Sequence, residues 1–347
     1  MRQDVSNSTA LRYQQPMDKV ALISGRSTPA LAAAISASLN LPLVKCNIID
    51  FANGEINIEI LENIRDKIVY FIQTGASSAD GKRSINDHYV EAIQMADACR
   101  LSGVRHVGII YATYPYARSD KKDKPRASIM SAVIARGLKG AGFHRIICMD
   151  VHAGQTQGVS KIPFDNLYAI NLHVKNLQAT VFAGMTTEEI NEKFILIAPD
   201  AGGVRRIRGY AKKLGMRHVI MTKQRDYSQA GVVEKSELIG GNVSGKVAIL
   251  VDDMGDTMGT AIAAINDLKG HGITSVIVVF THGVFSGAAM ERINNCEMIS
   301  QVIVTDTIDQ SVNMAKCPKL KVVTTAPLFG EVIKRLTCGG SLSELFE

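Results

Sequence analysis

Asp252, Asp253 and Asp256 follow an entirely apolar run, residues 247–251, and Thr257, Met258, Gly259 and Thr260 come next, before an amphipathic stretch begins. Carboxylates at the carboxyl end of a buried strand can accept hydrogen bonds from vicinal sugar hydroxyls, directly or through a metal ion. Backbone N–H groups and hydroxyls at the start of the following helix can hold a phosphate. Two adjacent carboxylates exceed what helix capping needs, so the segment reads as a ribose-phosphate pocket, with Gly255 and Gly259 expected to make its tight turns. Ala198-Pro199-Asp200-Ala201-Gly202-Gly203 ends another apolar run. Its glycines let backbone amides approach an anion, and Asp200 is a candidate metal ligand, although a plain turn fits the motif as well. Met149-Asp150-Val151-His152 closes a third run, where an imidazole suits a metal or phosphate ligand and a structural role equally. Arg118, Lys121, Lys122, Lys124 and Arg126 are five cations in nine residues, preceded by Tyr114-Pro115-Tyr116. Such a restrained cluster suits a polyanion better than a solvated face. Lys223 and Arg225 close a further run and open a polar segment, where positive groups could stabilise a transferring phosphoryl group.

The elements that must position these residues are short apolar runs alternating with amphipathic stretches. The candidate strands are residues 20–24, 43–48, 68–73, 107–111, 146–149, 194–198, 218–221, 247–251, 275–280, 301–304 and 320–323. Strands apolar on both faces and separated by helices imply parallel sheets covered on both sides, a doubly wound α/β architecture. There are too many strands for one sheet. The expected division is a flexible extension over residues 1–16, an N-terminal α/β domain over 17–168 and a C-terminal one over 169–347. Residues 75–84 and 225–236 are small and polar, and are expected to be mobile loops.

Composition narrows the class. The chain has 347 residues, 46% of them apolar and 21% charged, which suits an ordinary globular enzyme. A net charge of +6 is mildly basic, and without a nucleic-acid motif it implies no nucleic-acid partner. The six cysteines show no metal-ligand spacing and read as reduced thiols of a cytoplasmic protein. No apolar run is long enough to span a membrane, and residues 1–16 lack the apolar stretch of a signal peptide.

Together these segments resemble the ribose-phosphate pyrophosphokinases, the phosphoribosyl pyrophosphate synthetases, from about Lys19 to Phe346. The resemblance rests on Phe51-Ala52-Asn53-Gly54-Glu55, Tyr116-Ala117-Arg118-Ser119-Asp120-Lys121-Lys122-Asp123-Lys124, Met149-Asp150-Val151-His152-Ala153-Gly154-Gln155, Ile162-Pro163-Phe164-Asp165-Asn166-Leu167-Tyr168-Ala169, Pro199-Asp200-Ala201-Gly202-Gly203, the acidic segment through Thr260, and Thr281-His282-Gly283-Val284-Phe285-Ser286-Gly287. It implies two similar type I phosphoribosyltransferase-like α/β domains, each with a mainly parallel sheet flanked by helices. It also implies transfer of the β,γ-pyrophosphoryl group of ATP to the C1 hydroxyl of ribose 5-phosphate. By the same resemblance Phe51, Asn53 and Glu55 contact adenine, and Arg118, Asp120 and His152 complete the ATP site. Mg²⁺ sits on His152 and Asp200. Ribose 5-phosphate is bound by Asp200, Asp252, Asp253, Asp256, Thr257, Met258, Gly259 and Thr260, and Lys223 and Arg225 stabilise the transition state. Activation by phosphate and inhibition by ADP fall to Arg65, Lys122, Arg126, Ser341, Ser343 and Phe346, and the expected assembly is a homo-oligomer, a hexamer built from dimers. Ser119 stands where the family usually has Gln, and Val159-Ser160-Lys161 where it has Phe-Phe-Asp. A transferase that consumes the sugar diphosphate would share the acidic segment but needs no adenine site. A non-catalytic regulatory subunit would lose catalytic positions that are all present here.

Overall fold

The structure, a computed structural model, describes residues 17–223 and 236–346. The N-terminal extension, Arg225 and nearly all of the second expected loop lie outside the described residues.

The chain divides into two units. The first contains β1 (Val20–Ser24), α1 (Pro29–Leu39), β2 (Cys46–Asp50), β3 (Ile56–Ile60), β4 (Ile68–Gln73), α2 (Ile85–Leu101), β5 (His106–Tyr111), α3 (Met130–Ala141), β6 (Arg145–Met149) and β7 (Phe164–Leu167). Its parallel sheet has the order β1-β4-β5-β6-β7, while β2 and β3 pair as a separate antiparallel hairpin. Ile-Val-Tyr-Phe-Ile on β4 is almost wholly buried, as a strand covered on both faces must be. Ser84 and Asp87 form a capping box that starts α2. Residues 75–84, expected to be mobile, form a compact turn: Ser78 N donates to Arg83 O at 2.9 Å and Lys82 N to the Asp80 carboxylate at 3.1 Å.

The second unit contains α4 (Ile170–Thr180), α5 (Thr187–Lys193), β8 (Phe194–Ala198), α6 (Val204–Leu214), β9 (His218–Lys223), β10 (Ser236–Ile239), β11 (Val247–Gly255), α7 (Gly259–Gly270), β12 (Ser275–Gly283), α8 (Ala289–Asn295), β13 (Ile299–Thr305), α9 (Ser311–Lys316) and β14 (Leu320–Val323). The sheet order is β10-β9-β8-β11-β12-β13-β14, parallel except for the edge strand β10. Along β11, Ala248 and Leu250 join the apolar cluster under α7 and α8, while Ile249 and Val251 join the one under α4 and α6. That alternation explains why the strand is apolar at every position. The expected fold class, α/β with mainly parallel sheets flanked by helices, is what the structure shows.

Three differences from expectation bear on function. β11 runs on to Gly255, paired with β12 as far as Gly283, so Asp252 and Asp253 belong to the strand and not to a loop after it. The hairpin strand β3 and the strands β7 and β10 were not anticipated. A continuous second domain over 169–347 is corrected: the final helix α10 (Ala326–Cys338) groups with the first unit. There α10 crosses α1 so closely that a Cβ on Gly330 would clash with the Ser38 hydroxyl.

Candidate active site

In the second unit the chain moves to one side of β8 to form β9 and to the other to form β11 and the strands beyond it. Such a reversal leaves a crevice at the strands' carboxyl ends, the usual ligand site of an open α/β sheet. The Asp200 loop follows β8 and the acidic segment ends β11, so the topology brings both to this crevice. Asp200 is exposed; its Oδ1 accepts from Gly203 N at 3.0 Å, which fixes the turn into α6.

Asp253 is buried and Asp252 half-buried. Arg206, on α6, reaches both: Nη1 lies 2.6 Å from Asp252 Oδ1 and Nη2 3.0 Å from Asp253 Oδ1. Burial pushes the Asp252 carboxyl up to about 7, reinforced by the charge on Asp253 and opposed by Arg206. Sequence reasoning missed Arg206, which sits between the exposed Arg205 and Arg208 and looks like part of a solvated face.

Met258, not a glycine, makes the turn into α7, with φ of 65°. This left-handed conformation is unusual for a side chain of this size, and it persists because Met258 is packed into the core. Gly255 serves close packing: a Cβ there would lie 2.6 Å from the Phe280 ring. No side chain caps α7, and Thr257, Gly259 and Thr260 are exposed at its start, a helix terminus of the kind that can accept an anion. Arg292 from α8 fixes the loop by donating to Thr257 O at 2.6 Å. Asp256 is half-buried in the same loop. Lys223 ends β9 and pairs through its backbone with Ser236.

The first unit carries the residues expected to bind ATP at two places. Phe51, Asn53 and Glu55 form the tip of the β2–β3 hairpin, closed by Phe51 N to Glu55 O at 2.8 Å and Gly54 N to Phe51 O at 2.9 Å. The Phe51 ring is exposed there. Arg118 and His152 are exposed on the loops that follow β5 and β6. Gln155 Nε2 donates to the Asp120 carboxylate at 3.0 Å and ties these two loops together. The Ser119 hydroxyl supports the fold, accepting from Met130 N at 3.2 Å at the start of α3. Arg65, the Lys122–Arg126 stretch and the tail residues Ser341, Ser343 and Phe346 lie on three separate segments of this unit. The tail is anchored where Phe346 meets Tyr168 edge to face at 5.5 Å and Arg335 donates to Ser341 O at 2.5 Å.

Two family models match, one described as the N-terminal domain of ribose phosphate pyrophosphokinase over residues 20–142, the other as the phosphoribosyl synthetase-associated domain over 212–347. Ribose-phosphate pyrophosphokinase 4 of Saccharomyces cerevisiae is 37% identical over 96% of this chain and 97% of its own length. The chain belongs to the ribose-phosphate pyrophosphokinase family. Ribose-phosphate pyrophosphokinase A of Dictyostelium discoideum is also 37% identical, over 95% of this chain and 98% of that protein. The crystal structure of phosphoribosylpyrophosphate synthetase from Mycobacterium smegmatis superposes with a TM-score of 0.81 at 31% identity, covering 93% of this chain and 100% of that one. As a ribose-phosphate pyrophosphokinase the chain makes 5-phosphoribosyl 1-pyrophosphate and AMP from ribose 5-phosphate and ATP, a step of nucleotide biosynthesis. No helix among the described residues is long and apolar enough to cross a membrane.

Proposed function

We propose a division of labour for this ribose-phosphate pyrophosphokinase in which the first unit recognises ATP and the second holds ribose 5-phosphate. The observation that carries the reading is the switch-point crevice, where an acidic strand end meets an uncapped helix start. Asp252, Asp253 and Asp256 accept the ribose hydroxyls, and Thr257, Gly259 and Thr260 hold the 5-phosphate on the backbone turn that Met258 makes. Phe51 stacks on adenine, Asn53 and Glu55 read its edge, and Arg118 binds the phosphates with Asp120 and His152 beside it.

His152 and Asp200 are the residues assigned to Mg²⁺. Among the described residues no group of three or more His, Cys, Asp or Glu side chains could hold a metal ion. The exposed carboxylate of Asp200 suits Mg²⁺, a hard cation that takes one or two protein ligands and completes its shell with water and substrate phosphates. When bound it supplies positive charge against the ATP phosphates. The C1 hydroxyl of ribose 5-phosphate attacks the β-phosphorus and AMP leaves. The protein's part is to align nucleophile and leaving group, while Lys223 and Arg225 stabilise charge on the group in flight.

Arg65, Lys122, Arg126, Ser341, Ser343 and Phe346 serve regulation, with inorganic phosphate as activator and ADP as inhibitor, in a homo-oligomer, a hexamer built from dimers. The free cysteines suit a cytoplasmic setting. The test mixes purified full chain with ribose 5-phosphate, ATP, Mg²⁺ and phosphate and measures AMP and 5-phosphoribosyl 1-pyrophosphate. Equimolar products are expected; folded protein that yields neither would refute the reading.

A further inference from the structure

The first unit holds a chain of charges that the reaction does not use. Glu91 on α2 is wholly buried. Its Oε1 accepts from Arg26 N at 2.9 Å and from Gln73 Nε2 at 3.0 Å, and its Oε2 accepts from Arg26 Nε at 2.7 Å. A buried carboxylate left without such partners is strongly destabilising, so the turn from β1 into α1 is bound firmly to the core. From that anchor the guanidinium reaches outward, and Arg26 Nη1 donates to Asp50 Oδ1 at 2.8 Å. Arg83, at the end of the turn before α2, donates to the other oxygen of Asp50.

Asp50 is the last residue of β2 and the neighbour of Phe51. The opposite strand is held as well, since Gln94 Nε2 on α2 donates to Ile56 O, at the first residue of β3, at 3.1 Å. Both strands of the hairpin are therefore clamped where the tip begins. A two-stranded hairpin is marginal by itself, and an exposed aromatic ring on a loose tip would lose much conformational freedom on binding a base.

We propose that Arg26 and Asp50 are positioning residues that set the Phe51–Glu55 tip for recognition of the purine ring of ATP. The inference rests on the reading of that tip as the adenine site. It concerns base affinity and base choice. Glu91 is the fixed end of the clamp, Arg26 the connector and Asp50 the point of attachment.

The chain contains no tryptophan, so Phe51→Trp places a single indole at the tip and reports nucleotide binding by fluorescence without turnover. Asp50 is half exposed, so Asp50→Ala is the variant of choice; Arg26→Ala would strand Glu91 and endanger folding. Full-length Phe51→Trp and Phe51→Trp/Asp50→Ala are titrated with ATP and GTP. The Kd for ATP is expected to rise about fivefold, as the cost of ordering the tip shifts to the bound state, and the preference for ATP over GTP to narrow by about threefold, as a loosened tip lets Asn53 and Glu55 readjust to a guanine edge. In the parallel Asp50→Ala single variant, the KM for ribose 5-phosphate should move less than about twofold. Unchanged ATP affinity and base preference in an ATP-responsive protein overturns the inference, as does an equal rise in the ribose 5-phosphate KM, the mark of general damage. Failure of Phe51→Trp to respond to ATP refutes the adenine reading itself.

Discussion

Removing the guanidinium from the acidic pair tests the electrostatics of the second unit directly. Arg206→Ala deletes contacts of 2.6 Å to Asp252 and 3.0 Å to Asp253. At an effective dielectric of about 20, unit charges about 3 Å apart attract by roughly 5 kcal/mol, before the cost of desolvating the guanidinium is subtracted. Truncating one side of a buried pair costs about 3–5 kcal/mol; here side-chain exposures of 27% for Arg206 and 31% for Asp252 screen part of that. The expected loss is about 2–3 kcal/mol, a fall in melting temperature of roughly 4–10 °C for a unit of about 150 residues. The loss depends on pH, with a definite sign. The folded pKa of Asp252 is raised above its ordinary value of 3.8, so the native state keeps a proton that the unfolded chain has released. This group's contribution to stability therefore declines as pH rises from about 4 toward 7. Arg206 opposes that rise, so its removal deepens and prolongs the decline. The deficit of Arg206→Ala should be smaller near about pH 5.5, where Asp252 carries its proton and only the contact with Asp253 is lost, than near about pH 8.5, where Asp252 has released it. Thermal melts of the ligand-free full chain at both pH values provide the measurement. Equal deficits at the two values, or no deficit at either, would refute the reasoning.

Gly255→Ala should raise the ribose 5-phosphate KM at least about tenfold and the ATP KM little, because the new Cβ would meet Phe280 at 2.6 Å and Phe285 at 3.0 Å and displace the loop; initial rates at varied substrate check this. Lys223→Ala should lower kcat by roughly 10²–10³ with ATP affinity nearly intact, since its charge acts on the transition state; parallel losses in rate and in ATP affinity would remove that role. Rates in phosphate-free buffer should rise on addition of inorganic phosphate, and an unchanged rate would withdraw the activator assignment. Stripping divalent cations with a chelator should abolish turnover and added Mg²⁺ restore it, followed as AMP release.

Most of the parallel strands were legible because they are buried on both faces and so read as unbroken apolar runs, as residues 68–72 and 194–198 do, whereas β7, with Asp165 and Asn166 inside it, does not. The hairpin was legible too, in Asn53-Gly54 and in the alternation of Ile56, Ile58 and Ile60 with Asn57 and Glu59, but an eye set for strand–helix alternation passes over it. The acidic segment announced itself by residue type. Its extension of β11 through Gly255 did not, because polar residues at a strand end look the same as a loop. Arg206 and Arg26 were out of reach for a different reason. Their partners are far away in sequence, Asp252 by 46 positions and Glu91 by 65, and a lone arginine carries no mark of which carboxylate it will meet. The destination of α10 was equally hidden: its apolar stripe says that a face is buried, not against which unit.

That destination has a consequence for how the molecule is made. Synthesis proceeds from the N-terminus, and domains commonly fold in that order as they emerge. Here the strands of the second unit have all emerged by Val323, while the first still waits for Phe329, Val332 and Ile333 of α10, all of them fully buried. Residues of the first unit made before the whole of the second are among the last to find their full packing, and α1 must keep an uncovered face until α10 has been made.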